Sequence, residues 1–208
     1  MSPQPAAIVL AAGASTRLGQ PKQLIRIDGE SLLRRTARLA AETACLPIFI
    51  VLGYEAGRMI PELAGLHVHP LVNEAWSEGM GSSLRCGAQA LSRLNPQPSA
   101  ALLLVCDQPR LSAAHLHALL ARQAETGAAI TASGYAGRAG VPAVFAASLF
   151  PELLLAQGDR GARDLIRSYA QPLETLPWSD GELDLDLPDD LERVAPVSRT
   201  PAPKESAS

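Results

Sequence analysis

The chain has 208 residues and a formal net charge of −3, with 47% hydrophobic and 19% charged residues. That length predicts a single domain with a sizeable core. The mildly acidic balance gives no reason to expect nucleic acid or an anionic membrane as a partner. We therefore expect any polyanion site to be a local concentration of positive groups.

The N-terminal letters MSPQPAA lack the basic and apolar regions of a signal peptide. The longest apolar runs, Ala6–Ala12 and Ala100–Cys106, are far shorter than a membrane-spanning helix. Both features predict a cytoplasmic protein. Three scattered thiols without C-x-x-C spacing then predict reduced, mostly buried cysteines, namely Cys45, Cys86 and Cys106.

Two His-x-His pairs could each present two imidazoles on one face of a strand, as a metal site requires. Neither has a carboxylate or a third histidine nearby in the sequence, so we favour ordinary surface placement. The pairs are His67/His69 and His115/His117.

Short β-like runs alternate with helix-like stretches along the chain. The predicted strands are Ala6–Leu10, Pro47–Leu52, His67–Leu71, Ala100–Val105 and Ala128–Ser133, with weaker ones near Ala143 and Leu173. Helical spacing of apolar residues, opened by a capping serine, predicts helices at Ser31–Thr43, Ser82–Leu94 and Ser112–Thr126. SLFPELL and DRGARDLIRSYA are helical segments in a less regular second half.

Three of the strands, IVLAA, IFIVLG and ALLLVCD, are continuously apolar, as expected for strands covered on both faces. The pattern predicts an α/β, three-layer, Rossmann-like fold with a mainly parallel sheet. The last letters, PVSRTPAPKESAS, have little to bury. We expect one domain at 1–195 and a disordered tail at 196–208.

Ligands of open parallel sheets bind beyond the carboxyl ends of the strands, where two features of this chain lie. One is the loop Gly13–Lys22, whose backbone N–H groups, with Arg17 and Lys22, could hold a phosphate chain. The other is CDQP, directly after Ala100–Val105. The loop matches neither the P-loop pattern nor G-x-G-x-x-G, and a surface turn with two solvated cations remains an alternative.

LAAGASTRLGQPK resembles the L-A-A-G-x-S-x-R-x-G-x-x-K signature of MobA-like nucleotidyltransferases. NEAWSEGMGSSLRCG, LLLVCDQPRLS, GVPAVF, GDRGARDLI and DLDLPDDLE follow the order and spacing of the molybdenum cofactor cytidylyltransferase branch. The resemblance covers nearly the whole chain. It implies transfer of a nucleoside monophosphate from a nucleoside triphosphate to a phosphorylated acceptor, with release of pyrophosphate.

The resemblance implies a Mg²⁺ ion held by Asp107 and by Asp186, with Asp184 as the alternative second ligand. The family usually has threonine where this chain has Leu187. From the residues alone, Asp107 could equally cap a turn at the end of a strand.

Nucleotide contacts follow from the same resemblance. The base and ribose would contact the backbone of Leu10, Ala11, Ala12 and Gly13. The triphosphate would be held by Arg17 and Lys22. The nucleoside pocket would be bordered by Asn73 and Ser83. Arg17, Lys22 and Asp107 are the expected catalytic residues. Ser83 could instead simply lie at the start of a helix, and a helix N-terminus can itself bind an anion.

Acceptor contacts are expected from Asp159 and Arg163, although the aspartate could instead cap a helix and the arginine face solvent. Gly140 and Pro142, in GVPAVF, are expected to set the backbone shape near the acceptor. Direct attack by the acceptor phosphate needs no covalent intermediate, so Cys106 is expected to be core.

The expected reaction joins CTP and molybdopterin into the cytosine dinucleotide form of the cofactor. Alternatives are another nucleoside triphosphate, another acceptor such as a sugar or polyol phosphate, and a non-catalytic molybdopterin carrier or chaperone. A molybdenum hydroxylase or its maturation factor is the protein partner that the resemblance suggests. Ala12 bears on base choice, because guanylyl-transferring members have glycine there and its Cβ would occupy space that a purine needs.

Overall fold

The computed structural model describes residues 3–183, apart from the side chain of Arg17. Its strands are β1 (Ala6–Ala11), β2 (Arg26–Ile27), β3 (Glu30–Ser31), β4 (Ile48–Leu52), β5 (His69–Val72), β6 (Ala100–Val105), β7 (Ile130–Tyr135), β8 (Arg138–Ala146) and β9 (Glu174–Pro177). Its α-helices are α1 (Leu32–Ala41), α2 (Ala56–Met59), α3 (Met80–Ser92), α4 (Ala113–Thr126), α5 (Phe150–Leu154) and α6 (Ala162–Ser168).

Seven strands form one sheet in the order β5-β4-β1-β6-β8-β7-β9, and β2 and β3 form a separate short ribbon. The first four strands of this order are parallel, as are β7 and β9, whereas β8 is antiparallel to both of its neighbours. At the centre, Val9 lies opposite Ile50 on one side and Leu104 on the other. The predicted mainly parallel α/β fold is therefore confirmed.

The sheet is covered on both faces, as its continuously apolar strands require. Ala7 and Val9 of β1 belong to one hydrophobic cluster, which includes side chains of α1 and α4. Ile8 and Leu10 belong to the other, which includes side chains of α3, α5 and α6. Helices thus lie on both sides of the sheet, and the predicted three layers are confirmed.

Two of the three predicted serine caps are confirmed. The Ser31 hydroxyl accepts from the Arg34 N–H at 3.2 Å, and the Ser112 hydroxyl accepts from the His115 N–H at 3.3 Å. The third was wrong, because α3 begins at Met80 and its cap is Gly79, three residues before Ser82, at φ 106°. That left-handed backbone favours glycine, which has no Cβ to clash.

The parallel strands match their predicted bounds more closely than the second half does. β6 has the predicted limits and β1 is one residue longer than expected. The weak prediction near Ala143 is a nine-residue antiparallel strand, β8. No helix in the range 3–183 combines the length and apolar character needed to cross a membrane. The tail predicted at 196–208 lies outside the described residues.

The predicted burial of the thiols is confirmed for Cys45 and Cys106, while Cys86 is half-buried. Removal from water disfavours a thiolate, and it raises the pKa of Cys45 to about 11. Burial, together with the neighbouring Asp107 carboxylate, raises the pKa of Cys106 to about 12. Neither thiol is therefore suited to act as a nucleophile at neutral pH.

Candidate active site

The end of β1 and the end of β6 lie side by side, because the two strands are parallel neighbours in the sheet. This arrangement brings together two residues that are 85 positions apart in sequence. The Lys22 Nζ lies 2.5 Å from Asp107 Oδ2, and both side chains are partly buried, at 19% and 17% exposure. The loop and the CDQP segment therefore form one site.

The other carboxylate oxygen of Asp107, Oδ1, is buried and accepts no hydrogen bond from the described residues. A buried anionic oxygen without a donor is costly, and a cation or a donor on a ligand would relieve that cost. No group of three His, Cys, Asp or Glu side chains within residues 3–183 could hold a metal. Asp107 therefore fits a divalent ion as one hard oxygen ligand, with further oxygens supplied by a bound phosphate chain.

The loop between β1 and Lys22 is held in place by its own side chains. Gln23 is 1% exposed, and its amide Nε2 donates to the carbonyl oxygens of Ala11 at 2.9 Å and Gly13 at 2.7 Å. The Lys22 N–H donates to the Ser15 hydroxyl at 3.1 Å. Gln23 thus ties the end of the loop back to the end of β1, and the bond from Lys22 to Ser15 closes the loop on itself.

Sequence reasoning missed Gln23, which follows Lys22 directly. Nothing in the pattern QPKQL distinguishes a buried amide from a solvated one. A search for a polar side chain able to satisfy the carbonyl oxygens that β1 leaves at its end could have suggested it.

A cleft of about 360 Å³ opens above the ends of β1 and β6. It contains most of the residues expected to bind nucleotide, and it adds Trp76 and Met80. Its lining includes Leu10, Ala11, Ala12, Gly13, Lys22, Trp76, Met80, Ser83, Asp107 and Asp159. The carbonyl oxygens of Ala11, Ala12 and Gly13 already accept hydrogen bonds from the protein, so N–H groups are the more available backbone contacts.

A smaller cleft of about 170 Å³ adjoins the first. The linings of the two clefts share Leu10, Met80, Val105, Lys22 and Asp107. The smaller cleft also has a wall that the larger one lacks. That wall consists of Val141, Ala162 and Arg163. The ion pair between Lys22 and Asp107 thus stands at the junction of two cavities, as a transfer between two substrates would require.

Asn73 is buried behind the cleft rather than in its lining. Its amide donates to the hydroxyl oxygens of Ser82 at 2.8 Å and Ser83 at 3.1 Å, and its carbonyl oxygen accepts from the Ala75 N–H. These bonds fix the connection between β5 and α3. Ser83 itself lines the cleft, and its contact with a nucleoside stays a prediction.

The GDRGAR segment contributes to both cavities. The Gly158 carbonyl oxygen accepts from the Gly81 N–H at 2.8 Å, which joins this segment to the start of α3. Asp159 consequently lines the larger cleft, on the side of the residues expected to bind nucleotide, whereas Arg163 lines the smaller one. The structure therefore separates two residues that the sequence assigned together to the acceptor.

Gly140 and Pro142 are buried and line neither cleft. Between them, the carbonyl oxygen of Val141 accepts from Gln108 Nε2 and from the Tyr135 hydroxyl, both at 3.0 Å. A Cβ on Gly140 would collide with the Tyr135 hydroxyl. These contacts agree with the expectation that Gly140 and Pro142 set backbone shape.

His115 corrects the prediction of surface placement, which is right for His67, His69 and His117. Its ring stacks on Trp178 with centroids 4.8 Å apart, and its Nε2 lies 2.8 Å from the Ser133 hydroxyl. Burial lowers the pKa of His115 to about 4. The helical face that points inward, rather than the His-x-His spacing, decides which imidazole of the pair is covered.

The hydrogen bonds of Ser133 fix the tautomer of that imidazole. The Ser133 hydroxyl donates its proton to the Pro142 carbonyl oxygen at 2.7 Å. It must therefore accept from His115, so Nε2 carries the proton of the neutral ring. These two hydrogen bonds connect α4, through Ser133, to β8, the strand that contributes Val141 to the smaller cleft.

Three of the residues expected in the site fall outside the part that the structure describes. They are the side chain of Arg17, whose backbone lies in the short helix Thr16–Leu18, and the two candidate metal ligands Asp184 and Asp186.

A glycine-containing loop and an acidic strand end meet at the carboxyl edge of the parallel strands, where open α/β sheets bind their ligands. Residues 7–173 match the family described as the MobA-like NTP transferase domain. The chain belongs to this family, and it is a nucleotidyltransferase.

Three relatives carry different names. The purine catabolism protein PucB of Bacillus subtilis is 30% identical, over 93% of this chain and 97% of that one. Nicotine blue oxidoreductase of Paenarthrobacter nicotinovorans is 32% identical, over 83% and 86%. A probable molybdenum cofactor guanylyltransferase of Synechococcus elongatus is 34% identical, over 84% and 89%. The names of these three similar proteins therefore do not agree on one activity.

Solved structures give the same fold. Rv0371c from Mycobacterium tuberculosis H37Rv superposes with a TM-score of 0.77 at 31% identity, covering 93% of this chain and 98% of that one. Rv0371c has also been solved in complex with manganese, and that structure gives a TM-score of 0.71 at 30% identity, covering 92% and 97%. A divalent metal is thus bound by a protein similar to this one.

Proposed function

We propose that the protein transfers CMP from CTP to a molybdopterin-type acceptor and releases pyrophosphate. The observation that carries the proposal is the Lys22–Asp107 pair at the junction of two cavities. One cavity contains the glycine-containing strand end and the other contains Arg163. The relative named as a molybdenum cofactor guanylyltransferase supports the choice of acceptor.

The larger cleft would receive the nucleotide. Backbone N–H groups of the loop after β1 and the Lys22 ammonium would bind the triphosphate, and Arg17 is expected to add a second cation. Asp107 would hold Mg²⁺ through its buried Oδ1, which has no donor among the described residues. When bound, the ion would neutralise charge on the phosphate oxygens.

The smaller cleft would receive the acceptor phosphate, with Arg163 as its cation. An oxygen of that phosphate forms a bond to the α-phosphorus of CTP while the bond from the α-phosphorus to the departing pyrophosphate oxygen breaks. Pyrophosphate leaves with the electron pair. Lys22, at the boundary of the two cavities, stabilises the charge that develops on the transferring group. No side chain is covalently modified.

Measurement of pyrophosphate release with each of the four nucleoside triphosphates tests the proposal. Each reaction contains Mg²⁺ and either molybdopterin or a sugar phosphate as acceptor. We expect release with CTP and molybdopterin, and none when the acceptor is omitted. Release with a sugar or polyol phosphate would move the acceptor assignment to that class. Tight binding of molybdopterin without release under any condition would favour a carrier instead.

A further inference from the structure

Trp76 is the large aromatic side chain in the lining of the larger cleft. It begins the short helix Trp76–Glu78 that follows β5, and its ring is half-buried. It lines the larger cleft together with Ala12 and Ser83. The phosphate, metal and acceptor contacts proposed above make no use of it.

The position of the indole is fixed by the ends of two strands. A Cβ added to Gly53, directly after β4, would lie 2.5 Å from Trp76 Cβ and 2.7 Å from the Ala12 carbonyl oxygen. The absence of a side chain at Gly53 therefore lets Trp76 approach the backbone at the end of β1. A larger residue at position 53 would force the indole away.

Tyr54 holds the ring from a second side. Its ring meets the indole edge to face, with centroids 5.4 Å apart and planes at 67°. The Tyr54 N–H also donates to the Ala12 carbonyl oxygen at 3.0 Å. Tyr54 therefore links the indole to the backbone of Ala12. The indole also packs against the hydrophobic cluster to which Ala12 belongs.

An indole has a single N–H donor, but its large aromatic surface is suited above all to a nucleobase. Stacking of a base on an aromatic side chain changes affinity by roughly tenfold on alanine substitution, and it tolerates different bases. We propose that, given the nucleotidyl transfer proposed above, Trp76 is the wall of the nucleotide site against which the base packs. Trp76 then supplies affinity for the base, and Ala12 beside it limits the size of the base.

Two substitutions of Trp76 distinguish the contribution of its aromatic surface from that of its apolar volume. Trp76→Leu keeps an apolar group but removes the aromatic ring, and we expect it to raise the KM for CTP at least about fivefold. Because the base contact is the same in the ground and transition states, kcat and the KM for the acceptor should stay within about twofold of the parent. Trp76→Phe should keep most of the affinity. A KM for CTP that is unchanged in the leucine variant, or equally raised in both, would overturn the proposal.

Fluorescence tests the native residue directly, because the chain has two tryptophans and the other one, Trp178, stacks on His115 outside both clefts. In the Trp178→Phe variant all indole emission comes from Trp76. Addition of CTP should change that emission with the same dissociation constant that equilibrium dialysis of labelled CTP gives. The Trp76→Phe variant, with Trp178 intact, should show no change.

The two methods distinguish failure of this inference from failure of the proposed function. CTP that binds in dialysis without altering the emission of Trp76 would overturn the base-wall assignment and leave nucleotide transfer standing. If none of the four nucleoside triphosphates bound in dialysis, both the assignment and the proposed function would be overturned.

Discussion

The two halves of the sheet position their parts of the site by different means. In the parallel half, β5-β4-β1-β6, the site is made by strand ends, and the ion pair follows from the neighbouring positions of β1 and β6. In the mixed half, β8-β7-β9, side chains brace the wall of the smaller cleft, with Tyr135 and Ser133 of β7 donating to carbonyl oxygens of β8. Gln108, which follows β6, donates to the same Val141 carbonyl oxygen as Tyr135. We therefore expect the first half to carry the chemistry and the second half to set the shape of the smaller cleft, in which we propose that the acceptor binds.

The largest effect is expected where the two halves meet. Asp107→Asn keeps the shape of the side chain but removes the charge that would anchor a divalent ion, so kcat should fall at least about 10³-fold. Thermal unfolding checks that the fold is intact. Asp180→Asn, at an exposed carboxylate paired with Arg110, removes the same charge elsewhere and should retain activity. Activity within threefold of the parent at saturating Mg²⁺ would remove Asp107 from the metal site.

Lys22→Ala should lower kcat/KM by roughly 10²-fold, because a charge partner of the transition state is lost. The control is Arg26→Ala, four residues further on, where an exposed cation pairs with Glu62. A change in thermal stability alone would mean that the loop after β1 is structural.

Arg163 tests whether the smaller cleft belongs to the acceptor. Arg163→Ala should raise the KM for the acceptor about tenfold, the cost of one charge-assisted hydrogen bond, and leave the KM for CTP unchanged. Arg160→Ala is the matched control, since Arg160 lines a different cleft, together with Glu152 and Asp164. If the KM for CTP rose instead, the division between the two cavities would be wrong.

Ala12 tests base choice in the parallel half. The parent should prefer CTP over GTP by at least about tenfold, and Ala12→Gly should narrow that gap mainly by improving the use of GTP. The kcat/KM values for both nucleotides provide the measurement. Ala64→Gly makes the same change at an exposed position that lines neither cleft and should leave the ratio unaltered. Equal rates with CTP and GTP in the parent would defeat this account of selectivity.

The smallest expected effect is on stability, and it comes from His115, which is hydrogen-bonded to Ser133 of the mixed half. The pKa of His115 is lowered to about 4 in the folded protein, whereas an unfolded histidine has a pKa near 6.5. Between these two pH values the unfolded state binds a proton that the folded state does not. The free energy of unfolding should therefore fall as the pH drops from 7.5 to 5.5, by about 1 kcal/mol after allowance for partial exposure. Urea titrations should give a smaller fall for His115→Gln and the parental fall for His117→Gln.

The parallel half was largely predictable because continuous apolar runs, such as Ala100–Val105, have one physical interpretation in a chain that alternates strands and helices. The glycine-containing loop and Asp107 could be assigned to one edge of the sheet for the same reason. Sequence reasoning did not find Gln23, Trp76 and His115, because each depends on which side of an element faces inward. That choice is made by tertiary packing, which a local pattern does not contain.

We propose above all that this chain joins a nucleotide to a phosphorylated acceptor where the Lys22–Asp107 pair lies between the two clefts. Incubation with CTP labelled at the α-phosphate, molybdopterin and Mg²⁺ tests it most directly, with the products separated by chromatography. We predict that the label moves to the acceptor in the parent and stays on CTP in the Asp107→Asn variant. Label that is recovered only as CTP or free CMP in the parent would contradict the account.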